Sequence, residues 1–132
     1  MSKSEAAVSS EIQLALAYAG AIVQRNNVGA CEDKTGRIVR YGLMNESSQM
    51  NKRFKSSDLI CPVPVLITPQ MVGTVIGAYA AIEAKREDWK FRETDEHALA
   101  QMRYHDIIRS VGGFAGFARS PQEALRIIGI RT

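Results

Sequence analysis

Ala80-Ala81-Ile82-Glu83-Ala84-Lys85 is a short apolar run that ends in two opposite charges. Residues 79–85 read as a strand. Strand side chains alternate between faces, so Glu83 and Lys85 share one face while Ile82 and Ala84 point to the other. Upstream, Ser56-Ser57-Asp58-Leu59-Ile60 places a second carboxylate at the opening of another apolar segment. If the fold sets Asp58 beside Glu83, the group becomes two acids and a lysine. Such a group can hold a divalent cation and place a positive charge next to an attacked phosphate. The structural alternative is a surface ion pair at a strand end.

The rest of the chain bounds this reading. Its 132 residues are the length of one domain with room for a core. A hydrophobic fraction of 45% and a charged fraction of 23% exclude wholesale disorder. No apolar run approaches the roughly 20 residues that span a bilayer, so no membrane partner is expected. Met1-Ser2-Lys3-Ser4-Glu5 lacks the basic-then-apolar layout of a secretory signal, and a cytoplasmic protein is expected. Cys31 and Cys61 lie far apart without the paired Cys/His spacing of a zinc site, and read as free thiols.

The net charge of +3 permits nucleic-acid binding without requiring it. Its distribution says more. Lys34, Arg37, Arg40, Lys52, Arg53 and Lys55 lie in one segment whose only acid is Glu46. That segment is either a phosphate-facing side or an ordinary solvated loop.

Taken in order, residues 4–19 read as a helix with Val8, Ile12, Ala15 and Ala19 at helical spacing. Ser2 or Ser4 caps it, and Ser2-Lys3-Ser4-Glu5 fits a capping box. Residues 21–27 read as a first strand, and residues 37–43 as a second, joined into a hairpin through the Lys34-Thr35-Gly36 turn. Residues 45–57 lack apolar period and read as a long loop of the kind that carries function. Asp58-Leu59-Ile60 opens a short strand that Pro62 and Pro64 interrupt. Residues 65–68 are β-prone, Thr68-Pro69-Gln70-Met71 is a turn, and residues 74–85 form a strand. Residues 95–111 are a second long helix with Ala100, Tyr104, Ile107, Ile108 and Val111 on its apolar face. Gly112-Gly113 ends it, residues 114–118 form a buried strand, and Ser120-Pro121 starts the last helix. The expected fold is α/β, a mixed central β-sheet flanked by α-helices in a single domain over residues 1–132.

His97 and His105 are eight residues apart on the second long helix. They project ~80° apart and more than two turns distant, too far to chelate one ion, and read as solvated. Trp89 and Phe91 stack on an unpaired base, pack locally or meet a second subunit. Gly112-Gly113-x-x-Gly116 precedes a strand rather than a helix and is no phosphate cradle.

Five blocks stand in one order: Ser4-Glu5-Ala6-Ala7, Arg25-Asn26-Asn27-Val28-Gly29, Ser57-Asp58-Leu59-Ile60, Thr68-Pro69-Gln70-Met71-Val72-Gly73 and Ala81-Ile82-Glu83-Ala84-Lys85. Together with Gln101-x-x-Tyr104 they resemble the VRR-NUC family, the virus-type replication and repair nucleases of the PD-(D/E)xK superfamily, in its compact stand-alone phage and bacterial form. The resemblance spans nearly the whole chain and implies a restriction-endonuclease-like core. It implies Asp58 and Glu83 as metal-binding carboxylates, the carbonyl of Ala84 as a further ligand and Lys85 as the catalytic lysine. Gln101 corresponds to a helix glutamine that faces the site. Glu5 is the better match to the family's first-helix glutamate, with Glu11 as the fallback.

The implied cofactor is Mg2+ or Mn2+, and the implied activity is DNA endonuclease cleavage in replication, recombination or repair. Compact members are similar to homodimeric Holliday-junction resolvases, so branched DNA and a second copy are the expected partners, in a bacterial or phage-infected host cell. A two-fold dimer suits the symmetry of a four-way junction. Lys52, Arg53 and Lys55 are expected on the DNA backbone, with Arg25, Asn26 and Asn27 nearer the site. The chain departs from the family at Ser57, where the superfamily has proline, and at Cys61-Pro62, where glycine is usual. The alternatives are a non-catalytic nucleic-acid-binding module on the same fold and an interaction protein carrying a strand-end ion pair.

Overall fold

The computed structural model describes residues 2–129. Two compact units succeed one another along the chain, Met1–Cys61 and Pro62–Thr132. Among the described residues the protein is mixed α/β, with four α-helices and two separate two-stranded sheets. One central sheet was expected; the strands instead form one pair in each unit.

In the first unit, α1 spans Glu5–Tyr18. Ser4 is its N-cap, its side chain accepting from the Ala7 amide at 3.2 Å. Glu5 is therefore the first helical residue, and the Ser2–Glu5 capping box does not form. None of the helix is fully buried, and Val8 and Ile12 of the expected apolar stripe are exposed.

Strands β1 (Gly29–Glu32) and β2 (Ile38–Tyr41) form an antiparallel hairpin. The partner of the second strand is thus residues 29–32, and not the expected residues 21–27. The turn explains the register. The Asp33 Oδ1 accepts from the Thr35 amide (2.8 Å), the Thr35 hydroxyl (2.6 Å) and the Arg37 amide (3.0 Å), closing the chain around Gly36. These same bonds hold the Asp33 carboxyl below its ordinary value. Gly29 admits the Tyr41 ring opposite it, since an added Cβ would lie 2.3 Å from the Tyr41 hydroxyl. Residues 21–27 run extended but pair only through a single antiparallel bridge, Arg25 to Leu59. Two bonds frame it, from the Asn26 amide to the Asp58 carbonyl (2.8 Å) and from the Ile60 amide to the Gln24 carbonyl (3.0 Å).

The expected loop over residues 45–57 contains a helix, α2 (Ser48–Arg53), capped by the Ser47 side chain on the Met50 amide. An N-cap serine is a local signal that operates without apolar period, which is why periodicity missed it. Asn45 is buried and braces the hairpin. Its amide donates to the Gly29 and Tyr41 carbonyls (both 2.8 Å), and its Oδ1 accepts from Arg40 Nη2 at 2.9 Å.

In the second unit, residues 63–68 and 74–79 adopt no strand; a short 3-10 turn, Pro69–Met71, lies between them. Pro62 and Pro64 lack ladder donors, and no neighbouring strand takes up the segment. Strand β3 is confined to Ala80–Ala84 and runs parallel to β4 (Phe114–Ala118), with Ala80 opposite Phe114 and Ala84 opposite Ala118. A parallel pair needs a long crossover, here carrying α3 (Glu96–Ser110), which packs on both strands. Asp95 caps α3 on the Ala98 amide. Gly113 allows its end to meet the sheet, because a Cβ there would lie 2.7 Å from Ile108 and 3.1 Å from the Tyr79 carbonyl. Helix α4 (Pro121–Ile127) follows the expected Ser120 cap and packs on β4.

The buried face of α3 differs from the expected one. Ala98, His105 and Ile108 are buried and Gln101 is half-buried, whereas Ala100 and Ile107 are exposed. The helix turns two polar residues inward because partners meet them there. His105 is only 5% exposed and lies edge-on to Phe117, with centroids 4.8 Å apart, so it is not the solvated histidine expected from sequence. Burial pushes its pKa below the ordinary value and Arg109 lowers it further, against the opposing pull of Glu83 and Asp106.

Candidate metal and nucleic-acid site

Strand β3 has an inverted pattern. Ala81, Glu83 and Lys85 lie on its more covered face, while Ala80, Ile82 and Ala84 lie on the exposed one. The Lys85 side chain is 15% exposed and Glu83 40% exposed. Lys85 Nζ donates to Gln101 Oε1 at 2.9 Å and lies 4.0 Å from Glu83 Oε1. It also sits 5.3 Å from the Trp89 ring centroid and 5.6 Å from that of Phe117.

Magnitudes separate these contacts. A hydrogen bond from a charged donor contributes about 1.5–3 kcal/mol. An ion pair at 4 Å ranges from ~1 kcal/mol in water to ~4 kcal/mol near a protein surface, and the exposure of Glu83 draws it toward the lower end. Gln101 and the two rings therefore fix where Lys85 stands, and Glu83 keeps a carboxylate open to solvent beside it. The relation is more than a surface ion pair, because the lysine is largely covered.

The first unit gathers a second set of expected residues. Glu5, Arg25, Asn26, Asn27 and Asp58 line one cleft of about 290 Å3 with Ala6, Ser9 and Leu59. The single bridge between residues 25 and 59 holds Asp58 at one wall of this cleft, and the first turn of α1 brings Glu5 to it. Glu11 instead pairs with Lys3 at 2.5 Å. That distinguishes the two first-helix acids: Glu5 faces the same space as Asp58, and Glu11 is spent on a lysine. The Asn26 side chain is engaged within the unit, donating to Ser56 Oγ (2.7 Å) and the Ser57 carbonyl (2.9 Å) and accepting from the Leu43 amide (3.1 Å). It holds the chain that presents Asp58 and has both amide protons committed.

The basic segment divides. Arg40 is drawn inward to Asn45. Lys52 and Arg53 occupy the last turn of α2, where cations also offset the helix dipole. Arg53 lies 5.4 Å from the Phe54 ring centroid and Lys55 bonds to Asn51. All three remain exposed.

Among the described residues, no three His, Cys, Asp or Glu side chains are gathered as one cation site. Glu5 and Asp58 belong to the first unit; Glu83, Ala84, Lys85 and Gln101 belong to the second. Sequence reasoning missed Asn45, His105 and the Phe117–Arg119–Glu123 group, none of which has a motif. The Arg119 guanidinium and Glu123 form an ion pair at 2.6 Å, and Glu123 also accepts from the Arg119 amide at 2.7 Å. These bonds hold the Glu123 carboxyl at about 2 and raise the Arg119 pKa.

No protein-family profile, curated protein or solved structure matches this chain. Among the described residues, no helix is long and apolar enough to cross a membrane.

Proposed function

We propose that the protein is a Mg2+- or Mn2+-dependent DNA endonuclease with a restriction-endonuclease-like core, acting on branched DNA as a homodimer. The observation that carries the reading is the largely covered Lys85, held by Gln101 at 2.9 Å beside the open carboxylate of Glu83. Those are three side chains to which the VRR-NUC resemblance assigns catalytic roles. The cleft shared by Glu5 and Asp58 supports it independently.

By donor chemistry alone, the carboxylates of Glu5, Asp58 and Glu83 and the backbone carbonyl of Ala84 are the hard oxygen ligands that such a cation takes. The ion, when bound, screens the phosphate and lowers the pKa of a coordinated water. By the resemblance, Asp58 and Glu83 would be its ligands, with Glu5 as a further donor. Lys85 stands where negative charge builds on the phosphate oxygens, and Gln101 keeps the lysine from swinging away. Arg25 and Asn27 meet the DNA near the cut, Asn26 positions the chain that bears Asp58, and Lys52, Arg53 and Lys55 meet the backbone further out. In the second unit Leu66 and Val75 are 85% and 97% exposed, apolar side chains that a second copy would cover.

The experiment is cleavage of junction, flap, single-stranded and duplex DNA by purified protein with Mg2+ or Mn2+. Metal-dependent cutting of branched DNA is expected. Cutting that survives Asp58→Ala combined with Lys85→Ala would overturn the mechanism. Salt-sensitive DNA binding with no cleavage under either metal would favour a non-catalytic binding module instead.

A further inference from the structure

The second unit holds a cleft of about 490 Å3 that the proposed chemistry does not use. That volume lies within the ~300–1,000 Å3 typical of small-ligand sites. Its walls are aromatic and cationic. Trp89 and Phe91 come from the segment between β3 and α3, and Phe117 from β4. Trp89 lies 4.8 Å and Phe91 6.1 Å from Phe117, centroid to centroid, so the three rings form one partly open cluster. Lys90, Arg119 and Arg126 add three cations against one acid, Glu123. That acid is answered by Arg119, which it binds through both carboxylate oxygens while Arg119 Nη1 donates to the Trp89 carbonyl at 3.3 Å. Arg126 shares the field of Glu123 with Arg119, so the lining keeps an excess of positive charge, to which Lys90 contributes.

We propose that this cleft seats one unpaired base of a single-stranded nucleic acid, stacked on the aromatic cluster, with its phosphate on Lys90 and Arg126. Flat rings beside a net excess of cations suit a planar, anionic ligand, and stacking tolerates any base because every base has a π face. A second copy is the poorer occupant, since the chain itself carries a net charge of +3. The position matters for the nuclease reading, on which the following step rests. Trp89 and Phe117 are also the two rings against which Lys85 packs. An unpaired base in the cleft therefore lies next to the residue that attends the scissile phosphate, and the favoured substrate has a single-stranded stretch beside the cut.

Trp89 is the only tryptophan in the chain, so its fluorescence reports the cleft directly. The titration uses full-length protein in EDTA with a thymidine decamer, a duplex of equal length and thymidine monophosphate. Saturable quenching by the decamer is expected, with the duplex at least tenfold weaker. Lys90→Ala combined with Arg126→Ala should weaken the decamer at least tenfold while leaving the emission maximum unchanged. Phe91→Ala, which removes an exposed ring, should weaken it as well. Monophosphate binding as tightly as the decamer would assign the cleft to a free nucleotide and overturn the single-strand proposal. Absence of quenching, equal affinity for duplex, or indifference to the double substitution also overturns it. Quenching without metal-dependent cleavage would sink the nuclease reading and leave the cleft standing; cleavage without quenching would do the reverse.

Discussion

The Lys85 ammonium donates to the Gln101 side-chain carbonyl across 2.9 Å, joining the residue after β3 to the first half of α3. Replacing Gln101 by Leu leaves a largely covered charge without its acceptor. The expected loss of stability is about 1–3 kcal/mol, measured by urea unfolding. If Gln101 positions the lysine, kcat on junction DNA falls roughly tenfold or more while KM changes little, the pattern of an interaction made in the transition state. Gln101→Glu keeps an acceptor at the same reach and should recover much of the rate. Equal loss in both variants would show that the amide has another task.

Metal binding can be read without turnover. A ligand that binds only the folded state stabilises it by ~2.7 kcal/mol at a hundred times its Kd. Mn2+ should therefore raise the melting temperature of the wild-type protein. The shift should vanish in Asp58→Asn and in Glu83→Gln, shrink in Glu5→Gln, and persist in Glu11→Gln, whose carboxylate is occupied by Lys3. A shift lost in only one of the Asp58 and Glu83 variants would break the proposed sharing of an ion.

Local signals were legible in the sequence and long-range ones were not. The Ser120 cap, the Gly112-Gly113 stop and the shared face of Glu83 and Lys85 follow from rules acting over a few residues. The hairpin partner was misplaced because β1, Gly29–Glu32, is held by Asn45 and by the close approach of Tyr41 to Gly29, contacts that no spacing announces. The α3 face was misread for a related reason. Apolar periodicity assumes that polar residues point outward, yet His105 points inward to Phe117. The order of Glu5 before Glu11 rests on motif spacing in the sequence; the cleft shared with Asp58 and the pairing of Glu11 with Lys3 are long-range contacts that spacing does not announce.

Asn45 carries a prediction of its own. Truncation to Ala frees the Gly29 and Tyr41 carbonyls and removes the side-chain acceptor of Arg40, which keeps only the Asn45 backbone carbonyl. Gly29 and Arg40 are half-buried and Tyr41 is exposed, so water can replace part of what is lost and the expected cost is about 1–3 kcal/mol in all. Hydrogen exchange should show faster exchange across β1 and β2, with α3 and β4 unaffected. Uniform acceleration through both units would contradict a brace confined to the hairpin.

The Arg119–Glu123 pair predicts behaviour in acid. The folded-state pKa of Glu123 is depressed to about 2 from an ordinary 4.5. Its contribution is present above the ordinary value and is lost as pH falls from about 4.5 toward 2. Glu123→Gln should be less stable than wild type at pH 6, and the two should converge through that window. Salt should narrow the gap at pH 6, because the pair is exposed enough to be screened. A gap that stays constant down to pH 2 would mean that the carboxylate's packing, and not its charge, matters.

His105 acts at milder pH and in the same direction for a different reason. Buried against Phe117 and near Arg109, it binds a proton less readily when folded than at its ordinary value of 6.5. Glu83 and Asp106 pull the other way without reversing the shift. The unfolded chain therefore takes up more protons below that value, so stability is full above about pH 6.5 and declines as pH falls toward the folded pKa. The urea midpoint should drop between pH 7.5 and 5.5 in the wild type. His105→Gln, which has no proton to take up, should flatten that slope even if it lowers the midpoint throughout. A wild-type midpoint that rises on acidification would reverse the sign and show that Glu83 and Asp106 dominate the histidine's surroundings.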